Sequence, residues 1–394
     1  MSSNAVNDSV NGVSNIYAMR HEKIFKWMAE EGISLIMLED SEWRRDQNIR
    51  WLTGHPGDAL LFLALNVSDD SPSSGQAVLV AWDLNLAKIC ASDAPVFIGS
   101  YNDFGRQPVK AAAAVAKTLK IPYGSKIEIP AVTPYPSFLE FVGELTDYDI
   151  LCREKGAATE LNKWRAVKDA EEIAIIRQAA GITNKLIDLL EENVRSGKIK
   201  TEADAALFIE VEARNRGCEG TSFGILAAGP HRSFAIHAFP GWTCAPFGGQ
   251  GLSILDFGVN YKGYCTDVTL TFARDLNPKQ EKLVALVEKA AKLALPMARN
   301  GTPARDIAAA VDAHFSKSKK QMPHSLGHGI GLQAHEYPLI RNRNDNEWVL
   351  EQGMIFTIEP GLYDIQLGGC RLENDILITE SAPEVLTTAR IIRL

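Results

Sequence analysis

Residues 254–272 (ILDFGVNYKGYCTDVTLTF) form two β-rich runs around a turn at Asn260–Gly263, and each run carries an aspartate, Asp256 and Asp267. With the turn centred between Tyr261 and Lys262, the two stand directly opposite each other, Cβ atoms about 4.5–5.5 Å apart. Two like charges there, among Leu255, Phe257 and Val268, repel, and a cation between them removes the conflict. An exposed hairpin face with both groups in water is the alternative. A second pair of carboxylates follows. Glu359 ends a strand-like run before Pro-Gly, and Glu373 shares one face of another run with Arg371. Their connection is longer, so no turn sets the register, and a glutamate ending a surface strand would read the same way. Four of the eight histidines, His237, His324, His328 and His335, complete the set, three of them within twelve positions. Glycines flanking His328 let the backbone approach a bound centre. The zinc-peptidase spacing HExxH is absent, so spacing alone assigns no metal. Nothing places His231 or His314 near the others.

Strands and helices must hold these side chains. Residues 17–31 suit an amphipathic helix, followed by a strand over Ile33–Leu38. Apolar runs at Ala59–Val67, Ala77–Trp82 and Lys126–Ile129 alternate with a helical stretch around Pro108–Leu119. This alternation predicts a three-layer α/β domain with a parallel or mixed sheet, and Ser68–Gly75 as a loop within it. A long helix begins near Asp169, which with Glu172 has capping-box spacing, and a second follows Thr201. Asn277-Pro278 and Thr302-Pro303 each set a capping side chain before a proline at the first helical position. Helix pair, strand-rich segment, helix pair, strand-rich segment is the order of a duplicated α+β unit.

The chain of 394 residues carries 41 Lys+Arg against 49 Asp+Glu, a net charge of -8. Residues 1–150 hold 12 basic and 19 acidic side chains, the remainder 29 and 30, so neither half offers a nucleic-acid surface. The longest apolar run, Ala59–Leu65, is far short of the roughly 20 residues that span a bilayer. The N-terminus lacks the basic and apolar regions of a secretory signal and reads as a polar tail. Six scattered cysteines without CxxC favour reduced thiols and the cytoplasm.

The ordered set Asp256, Asp267, His328 in GHGIG, Glu359 in IEPG and Glu373 in RLEND resembles the five-ligand site of the pita-bread metallopeptidases, which include aminopeptidase P, prolidase, methionine aminopeptidase and creatinase-like proteins. Asn48-Ile-Arg-Trp-Leu-Thr-Gly is similar to a segment of the creatinase-type N-terminal domain. The resemblance implies an α+β chain in three parts. These are a polar tail over 1–15, a creatinase-like α/β domain over 16–155, and a pita-bread catalytic domain, with its duplicated helix pairs and antiparallel sheets, over 156–394. His237, His324, His335 and Arg371 match the proline-specific branch. Leu270 stands where members often have Arg, and Asn374 where an acidic residue is frequent, which leaves the substrate preference open.

What the resemblance implies is a pair of divalent ions, drawn from Mn²⁺, Co²⁺, Fe²⁺ or Zn²⁺ with Mn²⁺ or Co²⁺ favoured, held by Asp256, Asp267, His328, Glu359 and Glu373. A hydroxide bridging them would attack the bond before proline in a small peptide, in a cytoplasmic homodimer that binds neither nucleic acid nor membrane. Glu359 would carry the proton, His237 and His335 would stabilise the oxyanion, and His324 and Arg371 would meet the prolyl carboxylate. Pairing of Arg371 with a ligand carboxylate is the other role open to it. Alternative functions are a creatinase-like or lyase-type activity on a small non-peptide substrate, or a non-catalytic binding protein.

Overall fold

A computed structural model of the chain describes residues 15–66 and 74–394. The expected tail falls outside them except for Asn15, and the loop expected at Ser68–Gly75 falls outside them except for its last two residues. The chain divides between Leu161 and Asn162 into two compact units, inside the helix Ala157–Trp164.

In the first unit, the Asn15 side chain accepts from the amides of Tyr17 and Ala18 and starts the helix Ile16–Glu31, which Gly32 ends in the left-handed conformation. The sheet has six strands in the order Val96–Ser100, Gly75–Ala81, Ala59–Leu65, Ile33–Asp40, Lys126–Glu128, Asp149–Leu151. It is mixed: the pairs flanking Ala59–Leu65 are antiparallel and the outer pairs parallel. Ile24 and Met28 of the first helix are buried, while Leu35, Met37 and Phe62 of the sheet pack with Ala112, Val115 and Phe141 of two later helices. Helices cover both faces, which is why the central strand ALLFLAL is apolar without alternation.

The second unit repeats one plan twice. The helices Ala170–Arg195 and Glu202–Asn215, both opened by capping boxes, pack on Leu255, Phe257, Val268 and Phe272 of a four-stranded sheet. The helices Pro278–Ala294 and Ala304–Ser316 pack on Phe356, Ile358, Cys370 and Ile376 of the second group of strands. Asn277 caps the third helix as expected, but Thr302 caps nothing. The amides of Leu350 and Ala304 bond to the carbonyls of Thr302 and Trp348, holding 302–304 extended against 348–350, so the helix starts one residue later, after Pro303.

The hairpin register also differs from expectation. Asn260 pairs with Cys265 and Tyr261 with Tyr264, so the turn residues are Lys262 and Gly263, both at positive φ (51° and 87°). A two-residue turn of this hand requires φ > 0 at both positions, and glycine supplies the second without strain. Counting back, Asp256 faces Thr269, and Asp267 falls diagonally from it on the same face. The second pair is aligned by two collinear ladders. Ile358 pairs with Asn374 and Gly361 with Arg371, which sets Glu359 across from Glu373. Thr269 then bridges to Glu373, joining the two halves of the unit at their carboxylates. A Cβ at Gly258 would lie inside the Thr266 carbonyl oxygen. Gly258→Ala should therefore cost at least about 2 kcal/mol in urea unfolding, whereas Lys262→Asn should be neutral or stabilising. A mild Gly258→Ala phenotype would contradict this hairpin geometry.

Candidate metal centre

The two ladders deliver their acidic side chains to one cavity of about 550 Å³, lined by Asp256, Asp267, Glu359 and Glu373 together with His237, His324, His328 and His335. Ligand atoms of Asp256, Asp267 and Glu373 lie within 4.8 Å of one another, as do those of His328, Glu359 and Glu373, and those of Asp267, His328 and His335. All five expected ligands thus converge, with Glu373 common to two groups.

The hydrogen bonds show what the cluster lacks. Nδ1 of His328 lies 3.1 Å from the Gly329 carbonyl, which can only accept, so Nδ1 carries the proton and Nε2 presents a lone pair. That Nε2 faces Asp267 Oδ2 and Glu359 Oε1, each at 3.7 Å. Asp256 Oδ1 and Asp267 Oδ1 are buried with no hydrogen-bond partner. Acceptors that face acceptors in a buried site fit one kind of occupant, a cation.

The charge shifts carry the same signature. Burial pushes Asp267 and Glu359 well above the usual carboxylate range, and their acidic neighbours, Glu373 foremost, add to it. Glu373 is pushed up to about 7 by burial and by Asp256. Burial lowers His324 and His328 to about 4, so both rings are neutral.

Around this cluster the supporting bonds are dense. Arg371, 2% exposed, donates to Thr269 Oγ1 at 2.8 Å, the Ile236 carbonyl at 3.1 Å, Tyr363 Oη at 2.8 Å and Asp256 Oδ2 at 2.5 Å. Tyr363 continues to His324 Nε2 at 3.0 Å, and His324 Nδ1 reaches the Ser325 carbonyl at 2.8 Å. His237 sits on the loop between Gly229 and Thr243. Fully buried Glu202 ties that loop at both ends, accepting from the Gly229 and Thr243 amides at 2.7 Å and from Arg232 at 2.5 Å. His231 is exposed and His314 bonds the Leu286 carbonyl; neither lines the cavity.

A profile of Metallopeptidase family M24 matches residues 174–380, more than half of the chain. The chain belongs to this family. A prolidase from Thermococcus sibiricus superposes with a TM-score of 0.79 over 98% of this chain and 100% of its own, at 26% identity. An Xaa-Pro dipeptidase from Bacillus anthracis does so at 0.80, over 96% and 100%, with 25% identity. In sequence, the Xaa-Pro dipeptidase of Pyrococcus furiosus is 35% identical over 227 residues, 57% of this chain and 63% of that protein. The chain matches only 63–66% of the length of this and two other curated relatives, a putative dipeptidase of Bacillus subtilis and an uncharacterized peptidase of Methanocaldococcus jannaschii. The α+β architecture is the pita-bread fold of M24 preceded by an N-terminal domain.

Sequence reading missed several members of this M24 site. Asp375, fully buried, accepts from the Asp267 amide at 3.1 Å, and burial raises its carboxyl well above the ordinary range. It lies two residues beyond Glu373, on the same strand face, which was the signal available for it. Thr269, two beyond Asp267, donates to Glu373 Oε2 at 2.7 Å. Tyr363 had no signal, because its role depends on a partner from another strand.

Without metal, the raised carboxyls hold protons that the unfolded chain releases near its ordinary values, so between about pH 4 and pH 7 the metal-free fold loses stability as pH rises. Metal replaces those protons. The melting-temperature gain on adding Mn²⁺ should consequently be larger at pH 8 than at pH 5.5, measured by calorimetry. An equal or smaller gain at pH 8 would contradict this assignment.

Proposed function

We propose that this chain hydrolyses the peptide bond before proline in small peptides, as an Xaa-Pro dipeptidase or aminopeptidase using two divalent ions. The observation that carries the reading is the arrangement of acceptors around His328 Nε2 and the orphaned oxygens of Asp256 and Asp267. Asp256, Asp267 and Glu373 would hold one ion, and His328, Glu359 and Glu373 the other, with Mn²⁺ or Co²⁺ the preferred pair. The pair supplies Lewis acidity and a hydroxide nucleophile at neutral pH.

The residues of the chain do the rest. Glu359, beside His328 and Glu373 at the cavity, would accept the proton of the attacking water and return it to the proline nitrogen, a tertiary amide that leaves only when protonated. His335, whose ring centroid is 4.1 Å from that of His328, and His237 on the clamped loop face the cavity as donors for the developing oxyanion. His324 would meet the prolyl carboxylate by taking up a proton on Nε2, the nitrogen that otherwise accepts from Tyr363, because Nδ1 is held by the Ser325 carbonyl. Arg371 serves differently: its bonds to Asp256, Thr269 and Tyr363 make it a positioning group for a ligand carboxylate. All six cysteines are unpaired, which supports a reducing, cytoplasmic setting, and the resemblance supports a homodimer. No helix among the described residues is long and apolar enough to cross a membrane.

Metal-stripped protein should regain activity with Mn²⁺ or Co²⁺ on Xaa-Pro dipeptides or on Xaa-Pro-Yaa tripeptides, and the preferred length separates dipeptidase from aminopeptidase. Asp256→Ala and Glu359→Ala should lower kcat at least about 10³-fold while the far-UV spectrum stays native. Full activity in either variant, or no cleavage of any proline peptide, overturns the assignment.

A further inference from the structure

Beside the metal cavity lies a second chamber of about 190 Å³, which shares His335 and Leu339 with it. Leu339 pairs with His328 across the strand ladder, so the two spaces meet at the metal site. The floor of the chamber is a salt bridge between Arg165 and Glu336, 2% and 5% exposed, with Lys168 Nζ 3.7 Å from the same glutamate. Glu336 is held in turn by the Gln333 amide at 2.9 Å.

Two side-chain amides complete the lining. Asn162 Oδ1 accepts from Arg165 Nη1 at 3.2 Å, and Gln333 Oε1 from Nη2 at 3.5 Å. A guanidinium only donates, so it must face the oxygen of each amide. Their two –NH₂ groups are thereby left to the chamber, and neither donates to another described residue. The chamber therefore offers paired N–H donors over a buried cluster in which Arg165 and Lys168 share one carboxylate, beside one apolar wall.

We propose that this chamber receives the side chain of the substrate residue before the scissile bond, and that Asn162 and Gln333 select side chains ending in a carbonyl oxygen: Gln, Asn, Glu or Asp. This rests on the proposed cleavage of Xaa-Pro bonds. With the prolyl carboxylate at His324, the preceding residue is directed to the His335 side. An apolar side chain of the same length displaces the water on both donors and returns no acceptor, and an ammonium meets donors only.

The test compares Gln-Pro, Glu-Pro, Met-Pro and Lys-Pro as substrates of the metal-loaded protein. Gln-Pro should exceed its near-isostere Met-Pro about tenfold in kcat/KM, chiefly through KM. Gln333→Glu keeps an oxygen for Arg165 but turns the donor into an acceptor; it should erase the Gln-Pro advantage and raise Lys-Pro, with Met-Pro within about twofold of its original value. Asn162→Asp should do the same to a smaller degree. Thermal melting and metal stoichiometry of both variants should match the parent. Equal cleavage of Gln-Pro and Met-Pro, or a preference that Gln333→Glu leaves intact, overturns the chamber assignment and leaves the peptidase reading standing. Failure to cleave both these four and their Xaa-Pro-Yaa counterparts overturns both.

Discussion

Asp256, Asp267, Glu359, Glu373 and Asp375 are carried by four strands into one region from which water is largely excluded, and Arg371 is bonded to only one of them. Charges this close in a low-dielectric setting oppose folding unless protons or metal ions neutralise them. The surrounding architecture reads as the means of holding that repulsion in place. Thr269 and Thr271 each bond to the strand bearing Arg371 and Glu373, and the Asp375 oxygen takes the Asp267 amide, so the strands cannot separate without exposing unpaired groups.

The cost of the cluster is spread over two half-domains with separate apolar supports. Phe257, Val268 and Phe272 pin the first hairpin to one helix pair, while Phe356, Ile358 and Ile376 pin the second to another. Each hairpin thus has its own core, and their shared product is the site between them. The two halves of the unit repeat one plan. Here it gives the physical benefit that neither half can complete the cavity alone.

The histidines divide by what their nitrogens already hold. The bond from His328 Nδ1 to a carbonyl fixes a lone pair toward the carboxylates, whereas the two bonds of His324 place it at the end of a chain that starts at Arg371. His237 depends on a carboxylate outside the site, Glu202, for the shape of its loop. Charge deep beneath one helix pair therefore reaches the wall of the cavity through backbone hydrogen bonds.

Residue type and spacing alone identified the carboxylates, the histidine-rich segment and the alternation of helix pairs with strands, because these are local patterns of period and composition. The capping box at Asp169 and the cap at Asn277 before Pro278 were equally legible, each depending on residues within one turn. The hairpin register was not, since one residue of turn position moves every cross-strand partner, and Asp256 faces Thr269 rather than Asp267. Thr302 failed as a cap because Leu350, 48 residues on, claimed its carbonyl. Tyr363 and the Asn162–Gln333 chamber belong to tertiary structure outright: their roles rest on contacts between segments far apart in the chain, which periodicity does not encode. The sequence, read with its resemblance to the family, named the groups expected to hold metal. Only the fold decided which of their atoms face one another, and with which partners.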